Sequence, residues 1–181
     1  MIALTLSSNR KVRVWLNEMP DAGYSVDSVL ERNFEAESGM ISSVRCGAIE
    51  MYMHTGPRGL YGLLGAKFTP HDSRELLVQV ALSSNDGTSI DWSLASGLDS
   101  VQSGLLPRYA DGILAGIMET EEIHALGAGV LRFDYAAHGQ IGSTSIVFQQ
   151  LGRALVRLIM SENGSMSDEV LADNLRLWLQ K

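Results

Sequence analysis

The sequence predicts an α+β fold: one β-sheet with helices packed on one face. Three observations carry this. Apolar alternation of period two recurs through residues 2–82, helical stripes run through 106–117 and 147–158, and one strand pattern at 130–135 separates the stripes.

Ile2, Leu4 and Leu6, then Val12, Val14 and Leu16, flank a turn at Ser7 to Arg10 and predict a hairpin. Pro20-Asp21-Ala22-Gly23 is a turn signal, and a strand is expected from Val26 to Phe34. Val44 to Met53 reads as a long strand whose apolar phase slips, which predicts a bulge near Gly47. His54 to Gly62, HTGPRGLYG, reads as a glycine-rich connection. Leu64, Ala66 and Phe68 resume the alternation, and Leu76, Val78, Val80 and Leu82 follow. Leu106, Ala110, Ile113, Leu114 and Ile117 form a helical stripe, with Pro107 suited to the first turn. Gly127 and Gly129 end that unit. The next strand, Val130 to Tyr135, places Leu131, Phe133 and Tyr135 on one face. A second helix begins near Ser143 and carries Val147, Leu151, Ala154, Leu155 and Leu158. Gly164-Ser165 ends it. Ser165 with Asp168 then caps a short last helix with Leu171, Leu175, Trp178 and Leu179 on its apolar stripe.

The chain of 181 residues suits one domain, and 45% hydrophobic residues suffice for a core. No stretch approaches the length of a membrane span, and Cys46, the single cysteine, reads as a small buried hydrophobe. The expected location is therefore cytoplasmic, with no membrane partner. A net charge of −7 argues against non-specific nucleic-acid binding, where phosphate neutralisation supplies most of the affinity. The local exception is Arg10, Lys11 and Arg13.

Catalytic and cofactor signatures are missing. No Gly-Lys pair completes a phosphate loop, so no nucleotide site is expected. The histidines at 54, 71, 124 and 138 lack metal-ligand spacing, so neither a metal nor another cofactor is expected. Asp134, His138 and Ser143 are close in sequence, but no nucleophile elbow surrounds Ser143. They read as a strand-end acid, a loop histidine and a helix cap, and the chain as a non-enzyme.

Three segments carry a resemblance. TGPRGLYG at 55–62 resembles the glycine-rich loop of domain IV of translation elongation factor G. SGLLPRYADGILAGI at 103–117 resembles that domain's first helix, through Pro107, Tyr109, Gly116 and Ile117. LRFDYAAHGQIGSTSIVFQQLGRAL at 131–155 resembles its strand, tip loop and second helix, through Ser143, Phe148 and Gly152. The resemblance spans about residues 25–160 and implies a ribosomal protein S5 domain 2-like fold, a four-stranded sheet with two helices on one face. Residues 25–161 would form that domain, with 1–24 an added N-terminal hairpin and 162–181 an added C-terminal helix.

In that family the tip enters the ribosomal decoding centre. The resemblance thus implies a non-enzymatic ribosome- or RNA-associated protein without GTPase activity, with tip loops at His54 to Gly62 and Ala136 to Gly142. Arg58 would face phosphates, and Tyr61, His138 and Gln140 would complete an RNA contact. An acidic residue and a histidine are usual in the second loop. Here Gly142 stands at the acidic position, Gly139 stands at the histidine position, and His138 is shifted by one. The alternative is a stand-alone protein-interaction module that kept the fold and lost the RNA role, with a protein partner or another copy of itself. Convergence of Arg58, His138 and the Arg10–Arg13 cluster on one positive face would favour RNA.

Overall fold

Period-two alternation requires each strand to cover two faces, and both faces of this sheet are covered over much of its area. The structure, a computed structural model, describes residues 1–37, 41–85, 87–161 and 166–180. The strands are β1 (Ile2–Ser7), β2 (Arg10–Leu16), β3 (Ser28–Glu35), β4 (Arg45–Thr55), β5 (Arg58–Pro70), β6 (Glu75–Leu82), β7 (Val101–Ser103) and β8 (Gly129–Gly139). The helices are α1 (Pro107–Met118), α2 (Ser145–Met160) and α3 (Asp168–Trp178), with a short 3-10 turn at Glu121–Leu126.

All eight strands join one mixed sheet in the order β1-β2-β4-β5-β8-β6-β3, with β7 also on β8. One edge of β8 pairs antiparallel with β5. Its other edge pairs parallel with β6 over Gly129 to Phe133 and antiparallel with β7 over Ala137 to Gly139. This corrects the four-stranded expectation. The N-terminal hairpin continues the same sheet, β2 pairing with β4 from Arg10 to Leu16, while β3 extends it beyond β6.

Two apolar layers result. On one face Val12, Val14, Ile49, Met51, Leu64, Phe68, Val78 and Phe133 pack with all three helices. On the other, Trp15, Ala48, Tyr52, Tyr61, Leu63 and Ala137 pack with Ile90, Ala95 and Val101, from the chain between β6 and the end of β7. The second layer explains the phase slip in β4. Ile49 and Met51 face the helices while Ala48 and Tyr52 face away, and the pairing of β4 with both neighbours runs without a register shift. The bulge expected at Gly47 lies instead in β8, where Gly65 pairs with Tyr135 and Ala66 with Phe133, leaving Asp134 extra. Tyr135 is accordingly not in the helix-side cluster with Leu131 and Phe133, and it bridges Gly23.

α1 and α2 lie side by side and parallel. Gly112 abuts Ser145 and Gly116 abuts Gln149, so close that a Cβ on either glycine would meet the facing backbone. Glycine here permits helix backbones to touch. α1 buries Tyr109, Ala110, Ile113 and Ile117, whereas Leu114 is only partly buried. α2 is capped by Thr144, whose hydroxyl accepts from Val147 N, rather than by Ser143. α3 is capped by Ser167, and Ser165 lies outside the described residues. Among the described residues no helix is long and apolar enough to cross a membrane.

Candidate functional site

The end of the sheet where β4 turns into β5 gathers most of the residues singled out by sequence. The stretch 54–62 is largely strand. β4 runs to Thr55 and β5 starts at Arg58, leaving Gly56-Pro57 as a two-residue turn with Gly56 at φ 68°. Positive φ at the first central position is what a tight hairpin turn of matching twist requires. Likewise β8 runs to Gly139, so the second tip loop shrinks to Gln140–Gly142.

This turn is held firmly. Tyr61 N donates to Gly142 O, and the Ser143 hydroxyl donates to Tyr61 O at 2.7 Å while accepting from Gly139 N. A third segment closes the site. The chain between β6 and β7 lays residues 87–100 across the sheet face opposite the helices, and there Asp99 accepts from Gly142 N at 2.8 Å and from Ile141 N at 3.3 Å. Gln140 N donates in turn to Ser100 O. A Cβ at Gly139 would collide with the Asp99 carboxylate, and one at Gly142 with Gly59 O. The glycines at the two departing tip positions are therefore fitted to their neighbours, and an acidic group reaches this loop from residue 99.

Arg58 and Gln140 are exposed on this end, as expected of contact residues. Tyr61 and His138 are not available. Tyr61 is 0% exposed and its hydroxyl donates to Glu50 Oε1 at 3.1 Å; His138 is 2% exposed, its Nδ1 3.1 Å from Gly104 O and its ring against Tyr109. Alternation explains the burial of both, since each lies in a strand, on a face that is covered. Nor do the basic residues converge. Arg10 bonds to Met53 Sδ and Leu179 O on the helix side, whereas Arg13 bonds to Glu50 and Trp92 O on the other. Asp134 pairs with Arg132, and the Ser143 hydroxyl is committed to backbone. Cys46 is half-buried; burial pushes its thiol up and nearby Lys67 moderates the shift. Among the described residues no group of three His, Cys, Asp or Glu side chains is placed to hold a metal.

Sequence reasoning missed Leu98 and Ile141. They are 68% and 70% exposed and line one small cleft with Arg58, Pro57, Tyr52 and Asp99. It also missed Glu50, a carboxylate with no exposed surface. Glu50 accepts from Leu94 N at 2.7 Å and from Tyr61, and pairs with Arg13 at 3.3 Å. Burial raises its pKa, against the lowering by Leu94 N, Arg13 and Tyr61. The Tyr61 hydroxyl is pushed far up by burial and by Glu50. A charge within the apolar run Ala48 to Met53 was the signal that could have revealed it.

Comparison with protein-family models, curated proteins and solved structures finds no match for this chain.

Proposed function

We propose that this protein is a non-enzymatic interaction module on an elongation factor G domain IV-like scaffold, docking a protein partner through its tip. One observation carries the reading. Leu98 and Ile141 stand exposed on one cleft beside Arg58, while the two aromatic rings that would stack on bases are buried. Exposed apolar side chains next to an arginine suit a protein interface, whereas single-stranded RNA is gripped by exposed stacking faces. The scaffold is part of the proposal. Strands in the order β4-β5-β8-β6, with α1 and α2 on one face, support the ribosomal protein S5 domain 2-like reading.

A second reading, a ribosome or RNA partner, is favoured by a different observation. Both α1 and α2 begin at this end, and Arg108 and Gln140 line the hollow around their first turns. Parallel helix N-termini direct positive potential outward, which favours phosphate.

Affinity capture from native lysate, with ribosome fractionation, separates the two. The module reading expects a protein held by wild type and lost with both Leu98→Asp and Ile141→Asp. The RNA reading expects subunits held at low salt, with Arg58→Ala flattening the log–log salt dependence by about one unit. Capture indifferent to all three substitutions would sink both.

A further inference from the structure

The tip is built from three segments, and only one of them has a detachable form. Residues 91–100 contain neither helix nor strand, only turns. Their apolar hold on the sheet rests on three side chains: Ala95 is buried, Leu94 is half-buried against the same layer, and Trp92 meets Trp15 edge-on with ring centroids 6.1 Å apart. Ile90 and Val101 mark the two ends, joined by Ile90 N donating to Val101 O. Such a segment, with few buried contacts and its own closed base, belongs to the low-stability end of a fold.

Its middle is fastened by polar groups. Glu50 accepts from Leu94 N, and Arg13 Nη1 donates to Trp92 O at 2.7 Å while pairing with Glu50. The groups facing Glu50 are thus Arg13 from β2, Tyr61 from β5 and the Leu94 amide. A buried carboxylate is costly to hold without water, so these bonds largely offset its lost hydration. Lifting the segment breaks them but returns Glu50 to solvent, so regained hydration offsets part of the loss.

We propose that residues 91–100 form a latched strap, fastened near its middle by Glu50 and Arg13, whose release withdraws Leu98 and Asp99 from the tip. Opening removes one apolar contact outright and frees the Ile141 and Gly142 amides that Asp99 holds. The latch is a property of the isolated chain. Its consequence for docking rests on the module reading above.

Amide hydrogen exchange, followed by NMR on the whole chain, tests the latch without any partner. In wild type the Leu94, Ile141 and Gly142 amides are expected to exchange through one common opening, less protected than Leu155 in α2. Arg13→Ala and Glu50→Ala, which undo the latch from opposite sides, should each speed exchange at those three amides about tenfold or more, with Leu155 unchanged. Unchanged exchange at Leu94, or a rise at Leu94 that leaves Ile141 and Gly142 untouched, would overturn the proposal. So would equal acceleration at Leu155, which reports global unfolding. If neither variant folds, the wild-type pattern decides: protection at Leu94 equal to that at Leu155 rejects the strap.

Discussion

Asp99 reaches the Gly142 amide at 2.8 Å across 43 positions of sequence, and its carboxylate fills the space that a side chain at Gly139 would need. One acid therefore organises the turn before α2. Its removal leaves the Ile141 and Gly142 amides without their acceptor. Asp99→Ala is expected to cost about 1–3 kcal/mol, since bonds to a charged acceptor are among the stronger ones. Urea denaturation checks this.

Gly139→Ala is expected to destabilise by about 1–3 kcal/mol, because its Cβ must displace the Asp99 carboxylate. In an Asp99→Ala background the space is open and the same substitution should cost clearly less. A double-mutant cycle measures the coupling, and strict additivity would mean that the two residues do not compete for that space.

Leu155→Ala should cost about 2–5 kcal/mol, since the side chain is fully buried among the helix-side apolar residues. Leu114, which sequence spacing placed on the same footing, is only partly buried and should cost well under that. Equal losses in chemical denaturation would contradict the packing of α1.

Burial raises the Glu50 carboxyl above its ordinary value of 4.5. Between that value and the raised one the folded chain holds a proton that the unfolded chain has lost. Stability attributable to Glu50 therefore falls as pH rises through this window and is flat on either side. Denaturation midpoints of wild type and Glu50→Gln measured from pH 4.5 upward isolate the effect. The difference, wild type minus variant, should decline with pH. A rising difference would mean that the hydrogen bonds outweigh the desolvation.

Strand and helix types were legible because their periods are clean. Leu76 to Leu82 and the stripe Val147 to Leu158 stand where alternation and helical spacing put them. What alternation alone does not reveal is whether the second face of a strand is covered. Tyr61 and His138 therefore looked like loop contacts, although strands continue through both positions. The slip in β4 similarly looked like a bulge when it reflects burial on both faces. The strap gave only a brief signal: in DWSLASGLDS the apolar Trp92 and Leu94 alternate for a single step, and its role arises from contacts with β2, β4 and the 140–142 turn.

Among the described residues β8 is the only strand that joins the two halves of the sheet: β1-β2-β4-β5 on one side and β6-β3 on the other. Among the described residues β5 and β6 pair with it and not with each other. During synthesis the first 82 residues can form a four-stranded meander and a separate strand pair, each with an unsatisfied inner edge, and neither can close before residue 139 is available. Closure at such sequence separation is slow, and waiting edges are where chains pair wrongly. The nascent chain should depend on whatever shields those two edges until β8 slides between them.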